Sequence, residues 1–447
     1  MNVSPAKYAV IVGLGRTGFS CARYLRARGW RLAVTDTRQK PPELAGLAAL
    51  DPTIPLSVGG LDIRLLDGAD CVVASPGVSL EEPFFVEARH RGIEIVGDIE
   101  LFGRAADAPI VGITGTNGKS TVTTLVGRMA ERAGLRVRVG GNLGEPALDL
   151  LSARAATTEL YVLELSSFQL DATTSLDLKA ATVLNVSPDH LDRYTSVNAY
   201  ADSKARIFSR CETAVINLDD PLVVAMPRPG QKTVSFSLRA SIGADYAVAT
   251  RDGEWWLTRR GEALLSISAM KIKGLHNAAN ALASLALGDA LGLSMPAMLE
   301  ELATFTGLPH RSQWVADVHG VTYINDSKGT NVGATMAAVS GMQGPLVMIA
   351  GGDGKNQDFA VLADAFRGKV RHTVLIGRDA AAIAVALKGV CTLEMCSSLE
   401  DAVRAAARAA QPGDTVLLSP ACASLDMFRD YTHRGAVFTQ AVKELAA

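Results

Sequence analysis

GITGTNGKST, from Gly112 to Thr121, follows an apolar run that starts at Ile110 and leads into the helical pattern TVTTLVGRMAERAG. Its G-K-S ending is that of a phosphate-binding loop. Gly115 and Gly118 permit a backbone whose N–H groups converge on phosphate oxygens, Lys119 can reach the β and γ phosphates, and the Ser120 hydroxyl can ligate Mg²⁺. The strict pattern asks for glycine five residues before Gly118, where this chain has Ile113, so the loop is a variant with its glycine placed later, at Gly115. The plain alternative is a strand-to-helix turn that happens to contain GKS. The strand before, the helix after and the Lys-Ser order favour a phosphate loop in an α/β fold.

A second glycine turn stands nearer the start. VGLGRTGFS begins at Val12 and reads as G-x-G-x-x-G, with Gly13, Gly15 and Gly18, and Asp36 ends the next apolar run, LAVTD. Alone, this pattern suggests a nicotinamide-dependent oxidoreductase. A hydride-transfer enzyme does not ordinarily need a separate triphosphate loop, so the two loops together point to chemistry driven by nucleotide cleavage. A switch protein that binds ATP without chemical coupling is a further alternative.

At 447 residues the chain exceeds one compact core, and two to four domains are expected. Lys and Arg total 44 against 46 Asp and Glu, a formal net charge of -2, which leaves no electrostatic footprint for nucleic acid or an anionic membrane. No apolar run reaches the roughly 18 residues of a membrane span. The opening MNVSPAKYAV lacks the layout of a signal peptide. The cysteines at 21, 71, 211, 391, 396 and 422 show no metal-like pairs, as expected of reduced thiols in a cytoplasmic protein. Three α/β segments are expected, at 1–97, 98–307 and 308–447. The first carries KYAVIV, RLAVTD, DCVVAS and GIEIV. The second carries YVLELS, ATVLNV, TAVINL, a hairpin turn at Asp252-Gly253 and a helix over HNAANALASLALGDALGL. The third carries PLVMIAGGDG, HTVLIGRD and DTVLLSPACAS.

Several polar residues stand where apolar ones are expected. Glu164 lies inside YVLELSS, and a buried carboxylate requires a partner, a strand-end position or a cation; a Mg²⁺ shared with Ser120 would meet that need. His190 is expected just after a strand over Thr182–Val186, and Lys204 on a helix one turn from Tyr200. Asp326, Lys328 and Thr330 in INDSKGTN, Lys355 in GGDGK and Ser424 in SPACAS follow apolar strands. The carboxyl ends of strands are where an α/β domain places its ligand groups.

Taken together these motifs resemble the Mur ligases, ATP-dependent enzymes that add amino acids to the peptidoglycan precursor, over essentially the whole chain. The resemblance rests on GLGRTG, SPG at 75–77, GITGTNGKST, GGNLG at 140–144, ELSSFQL, SPDHLDRY, GLHNAAN, FTGLPHR, NDSKGTN, GGDGK and SPACASLDMF. GTNGKS and HNAAN run through the wider superfamily, folylpolyglutamate synthases included; SPACASLDMF together with GLGRTG is particular to the D-glutamate-adding branch. The resemblance implies three domains: a Rossmann-like N-terminal one for a UDP-substrate, a central P-loop ATPase-type one and a Rossmann-like C-terminal one for the amino acid.

The resemblance also implies roles. Arg16, Thr17, Asp36, Thr37, Arg38, Gly77 and Asn142 would bind the UDP part. Gly115, Thr116, Asn117, Gly118, Lys119, Ser120 and Thr121 would hold ATP, with Asn277, Asn280, His310, Arg311, Asp326 and Lys328. Ser120 and Glu164 would ligate one Mg²⁺, and His190 and Lys204 a second, the lysine carbamylated by CO₂ into a carboxylate-like ligand. Lys119, His190 and Lys204 would be the catalytic set. Thr330, Lys355, Ser424, Leu425 and Tyr431 would form the glutamate pocket, and Gly329 stands where the family often has alanine. The implied reaction joins D-glutamate to UDP-N-acetylmuramoyl-L-alanine through an acyl phosphate, releasing ADP and phosphate, in a monomer. A pocket of Lys, Ser and Thr reads equally well for either enantiomer, so a Mur-type ligase for another amino acid, L-glutamate included, is the alternative.

Overall fold

The computed structural model describes residues 6–152, 157–191, 193–342, 344–355 and 357–445; the first five residues of MNVSPAKYAV lie outside them. The strands are β1 (Tyr8–Val12), β2 (Arg31–Asp36), β3 (Leu56–Val58), β4 (Cys71–Ala74), β5 (Glu94–Gly97), β6 (Ile110–Thr114), β7 (Val137–Gly141), β8 (Leu160–Glu164), β9 (Leu178–Val183) and β10 (Cys211–Asn217). They continue with β11 (Lys232–Ser237), β12 (Tyr246–Arg251), β13 (Glu254–Arg259), β14 (Glu262–Ser266), β15 (Gln313–Val318), β16 (Val321–Asn325), β17 (Leu346–Gly351), β18 (Val370–Ile376), β19 (Thr392–Met395) and β20 (Thr415–Leu418). They form three sheets interleaved with helices, an α/β architecture.

The chain divides into two compact units. One comprises Met1–Ser237, Ser241–Tyr246 and Ala283–Met298; the other Leu238–Ala240, Ala247–Leu282 and Leu299–Ala447. In the first unit, one sheet has the order β3-β2-β1-β4-β5 with every pair parallel. Strand order reverses beside β1, the switch point that opens a crevice at the carboxyl ends of β1 and β4. The same unit carries six parallel strands ordered β11-β10-β9-β6-β8-β7. β9 ends at Val183, so the strand expected over Thr182–Val186 is displaced toward the N-terminus, and Asn185 and Val186 belong to the loop that follows. In the second unit, the Asp252-Gly253 turn has positive φ at both residues, 49° and 80°, as a tight hairpin requires. The third sheet runs β15-β16-β20-β17-β18-β19, antiparallel at β15–β16 and parallel elsewhere.

The apolar strands are covered on both faces, which is why they read as continuous runs. Met348 and Ala350 of β17 pack into one cluster and Val347 and Ile349 into another, following the two-residue period of a strand. In β1, Ala9 and Ile11 face one core while Val10 and Val12 face another. Leu282, Leu285 and Ala286 are fully buried on the helix Leu275–Ala290. The six cysteines are free thiols, four of them buried. Among the described residues no helix is long and apolar enough to cross a membrane.

The N-terminal glycine turn is built by close backbone approach. Gly13 has φ +92°, and a Cβ on Gly18 would lie 1.9 Å from the Gly13 carbonyl oxygen. Gly18→Ala must therefore displace backbone, and we expect a loss of about 1–3 kcal/mol in urea unfolding, the usual range for overpacking. Gly15→Ala, with nothing within 4 Å of the added carbon, should lose less; equal losses would show that the contact does not matter.

Candidate functional site

The GKS loop joins β6 to the helix Lys119–Arg132. Gly115 (φ +147°) and Gly118 (φ +85°) supply backbone angles that other residues rarely adopt. The loop is clamped by the segment after β9. The Asn185 carbonyl accepts the Thr116 N–H at 2.9 Å, its side-chain oxygen accepts the Asn117 N–H at 2.8 Å, and its amide donates to the Asn117 carbonyl at 3.1 Å. Lys119 Nζ donates to the Gly115 and Thr116 carbonyls, both at 2.9 Å. Thr121 lies buried in the first turn of the helix.

Glu164 ends β8, which pairs with β6 so that Ile113 faces Glu164. Its side chain is buried, and its two oxygens accept from Ser120 Oγ at 2.6 Å and from Asn142 Nδ2 at 2.8 Å. A buried carboxylate held by neutral donors beside a phosphate loop is a hard-cation donor set. Among the described residues no group of three or more His, Cys, Asp or Glu could hold a metal. A hydroxyl plus one carboxylate is instead how Mg²⁺ is held when substrate phosphates and water complete its shell. These residues fit that ion.

Lys204, on the helix Val197–Ala205, is 1% exposed. It donates to the Gly115 carbonyl at 3.0 Å and to Thr114 Oγ1 at 3.5 Å, and its Nζ sits 4.3 Å above the Tyr200 ring. Burial, and next the charge of Lys119, push its pKa down to about 7. His190 has φ 53° and a half-exposed ring, packed edge-on against Phe168 (4.9 Å) and Tyr200 (6.0 Å). His190 and Lys204 thus both pack against the Tyr200 ring. Tyr200 and Asn185 are site residues that the sequence reading passed over.

All seven residues ascribed to the UDP part line one cleft of about 470 Å³, together with Gly13, Ser75, Pro76, Val78 and Gln169. Arg16 Nη2 donates to the Gly144 carbonyl at 3.0 Å, which ties the glycine turn to GGNLG. Asp36 is buried and accepts from the Leu14 N–H (2.6 Å), the Arg38 N–H (2.8 Å) and the Arg38 guanidinium (2.9 and 2.6 Å). Burial would raise its pKa, but the Arg38 side chain and the two backbone N–H groups prevail and hold it at about 2. In a nicotinamide site this carboxylate would bind a ribose hydroxyl; here both its oxygens are taken by the protein.

The second unit carries the remaining candidates. Asn277 donates to the Lys273 carbonyl and accepts from Asn280, at 2.8 and 3.1 Å. Asp326 is buried; it accepts from Ser419 Oγ (2.7 Å) and the Ser312 N–H (3.0 Å), and burial raises its pKa to about 6. His310 (φ 64°) shares Nδ1 with the Asn325 amide at 3.1 Å, Arg311 follows it, and Lys328 Nζ lies 4.3 Å above the Tyr431 ring. Gln357 joins the loops of the glutamate set: it accepts the Val332 N–H (2.9 Å) beyond Thr330 and donates to the carbonyls of Gly354 (2.9 Å), beside Lys355, and Ala421 (3.4 Å). Asp353 and Ala423 exchange backbone bonds of 3.0 and 2.8 Å, which join the segment before Lys355 to the segment before Ser424. Ser424 is buried, whereas Leu425 is 69% exposed.

Comparison with known proteins covers the same ground. Residues 7–97 match the MurD-like Mur ligase N-terminal domain, 113–288 the Mur ligase middle domain and 310–422 the Mur ligase glutamate ligase domain. The UDP-N-acetylmuramoylalanine–D-glutamate ligase of Nitrosococcus oceani is 50% identical over 442 residues, covering 98% of this chain and 97% of its own. The chain belongs to the Mur ligase family. The enzyme of the same name from Pseudomonas aeruginosa is also 50% identical, covering 98% of both chains. Among solved structures, MurF from Acinetobacter baumannii superposes with a TM-score of 0.62 at 16% identity, over 98% of this chain and 92% of its own. The UDP-N-acetylmuramate-alanine ligase MurC from Thermotoga maritima gives 0.60 at 19% identity, over 98% and 99%. These two likenesses establish the Mur ligase fold.

The Asp36–Arg38 pair makes the stability of this Mur ligase depend on pH. The folded pKa, about 2, lies below the ordinary 3.8, so the stabilisation is present above about pH 4 and is lost as pH falls through about 2. Arg38 is half-exposed, which screens the pair. Asp36→Asn should cost on the order of 1–2 kcal/mol at neutral pH, a difference that shrinks as urea melts are repeated at falling pH. A constant difference would refute the assignment.

Proposed function

We propose that this chain is an ATP-dependent ligase joining D-glutamate to UDP-N-acetylmuramoyl-L-alanine in peptidoglycan precursor synthesis. The observation that carries the proposal is identity of 50% over 98% of the chain to enzymes named for that reaction. The GKS loop beside a buried Glu164 and the cleft at the first switch point support it. In this reading the seven cleft residues hold the uridine diphosphate. The GKS loop holds ATP with Asn277, Asn280, His310, Arg311, Asp326 and Lys328, and Thr330, Lys355, Ser424, Leu425 and Tyr431 receive the amino acid. The domains are 1–97, 98–307 and 308–447. The enzyme acts in the cytoplasm, as a monomer, on these small-molecule substrates.

The L-alanyl carboxylate attacks the γ-phosphorus of ATP, giving an acyl phosphate and ADP. The glutamate amine then attacks the activated carbonyl, and the tetrahedral adduct expels phosphate and leaves the amide. Lys119, held on the loop by two carbonyls, offers its charge to the phosphate oxygens. Ser120 and Glu164 would hold one Mg²⁺, and His190 with Lys204 a second. Bound there, Mg²⁺ supplies Lewis-acid stabilisation of the charge on the transferred group. We assign His190 to ligation rather than to proton removal, because one nitrogen cannot serve both roles at once.

Lys204 fits the second site as a carbamate. Its depressed pKa makes the neutral amine available near neutral pH; the amine attacks CO₂, a C–N bond forms and a proton leaves, turning a buried cation into a carboxylate-like ligand. Burial of an ammonium among neutral oxygens is unfavourable, and the modification removes that charge.

Phosphate release with UDP-N-acetylmuramoyl-L-alanine and ATP should require D-glutamate. Equal turnover with L-glutamate, or ADP formed without either substrate, would overturn the assignment. Lys119→Ala should lose about 10²–10³-fold in kcat, as for one preorganised charge donor. Lys204→Ala should be inactive and partly restored by added formate or acetate; absence of rescue at every concentration would reject the carbamate.

A further inference from the structure

The helix Asp98–Gly103 that follows β5 carries two buried carboxylates in its first turn, at Asp98 and Glu100. Both reach the segment 166–175, and they do so differently. Glu100 is saturated: it accepts from the Thr174 N–H (2.7 Å), the Ser175 N–H (2.9 Å), Ser175 Oγ (2.5 Å) and Arg104 Nε (3.0 Å). Asp98 accepts from Gln169 Nε2 at 2.9 Å through Oδ2, while its buried Oδ1 has no hydrogen-bond partner. The first turn of a helix favours a carboxylate, yet one that is buried with an unpaired oxygen is only weakly compensated. Stability alone does not account for aspartate at this position.

Gln169 supplies the reason. Its Oε1 accepts from the Ser166 N–H (3.0 Å) and Ser166 Oγ (3.2 Å), closing a capping box on the helix Ser167–Asp171. The ionised Asp98 carboxylate can only accept, so it fixes the amide with its NH₂ group turned away from the cap. Gln169 also lines the UDP cleft, and an amide nitrogen carries two N–H groups, one of which goes to Asp98. We propose that Asp98 is a positioning residue that orients Gln169, so that the second N–H is presented to an oxygen of the nucleotide-sugar substrate. The proposal rests on the assignment of the cleft to the UDP-substrate.

The test is calorimetric binding of UDP-N-acetylmuramoyl-L-alanine, with steady-state kinetics, on the full-length enzyme. Wild type should bind; failure to bind would overturn the cleft assignment and this proposal with it. With binding established, Gln169→Ala and Asp98→Leu should each raise the Kd and the substrate KM about tenfold, as for one hydrogen bond. The double variant should be no worse than either single one, and kcat and the KM for ATP should not move. Asp98→Asn, whose amide oxygen still accepts, should recover most of the affinity. Asp98→Leu and Glu100→Gln should both lower the melting temperature, since each leaves buried donors without an acceptor, but only Asp98→Leu should raise KM. Unchanged binding in Asp98→Leu, or effects that multiply in the double variant, would overturn the positioning role alone. If Asp98→Leu does not fold, Asp98→Ala takes its place in the cycle with Gln169→Ala, and equal binding by wild type and Gln169→Ala rejects the proposal.

Discussion

One buried carboxylate ties the first unit together. β6, β8 and β7 are adjacent, and their registers set Ile113 opposite Glu164 and Glu164 opposite Gly141. The GKS loop, the Glu164 side chain and GGNLG therefore leave the sheet side by side. Glu164 bonds to both neighbours, to Ser120 on one side and Asn142 on the other. Asn142 also lines the cleft beside the N-terminal glycine turn. The phosphate loop and the cleft are joined through a single carboxylate with neutral donors. Close approach enforces the arrangement, since a Cβ on Gly141 would lie 2.5 Å from the Glu164 carbonyl oxygen.

Two glycine-rich turns of phosphate-binding type in one unit follow from the same rule applied twice. In each sheet the phosphate turn follows a central strand, β1 or β6, and runs into a helix, where backbone N–H groups and the helix dipole favour anions. The outcomes differ in what sits next to the turn. Beside β1 stands Asp36, filled by Arg38 and backbone; beside β6 stand Ser120, Glu164 and Lys204, with donors that phosphate and metal chemistry can use. G-x-G-x-x-G reports a backbone able to receive phosphate and carries no information about the group attached to it. That is why the N-terminal turn alone suggested the wrong class of enzyme.

Legibility in the sequence followed the same division. Fully buried strands such as β4 and β17 stand out because burial on both faces leaves no polar positions. β3, β7 and β19 leave no such run: they lie at sheet edges and are mostly half-exposed, so the pattern fades. β9 was placed too late because LNV continues its apolar run into a loop. Glu164 was found as a polar residue ending an apolar run, and Asn185 carries the same signal in ATVLNV. Gln169 and Asp98 carried no such mark. Their importance lies in a bond between residues 71 positions apart, which no local pattern encodes.

The buried charges of this chain divide into two kinds. Glu100 and Asp36 are saturated by arginine and several donors, and their carboxyls are held near 2. Asp98, Asp326 and Lys204 rest on neutral groups and are pushed toward neutrality, the carboxyls to about 6 and the ammonium to about 7. The first kind fastens one segment to another: Glu100 holds its helix to Thr174 and Ser175, and Asp36 holds Arg38 and the glycine turn beside the cleft. The second kind is retained against its own burial penalty, and each member touches the loops at the carboxyl ends of strands or a residue that lines the cleft. Arg434 combines the two: fully buried, it holds Ser327 and the Cys422 carbonyl through neutral oxygens, so that burial lowers its pKa to about 10. It spans the loops that carry Lys328 and Ser424 and holds the two together.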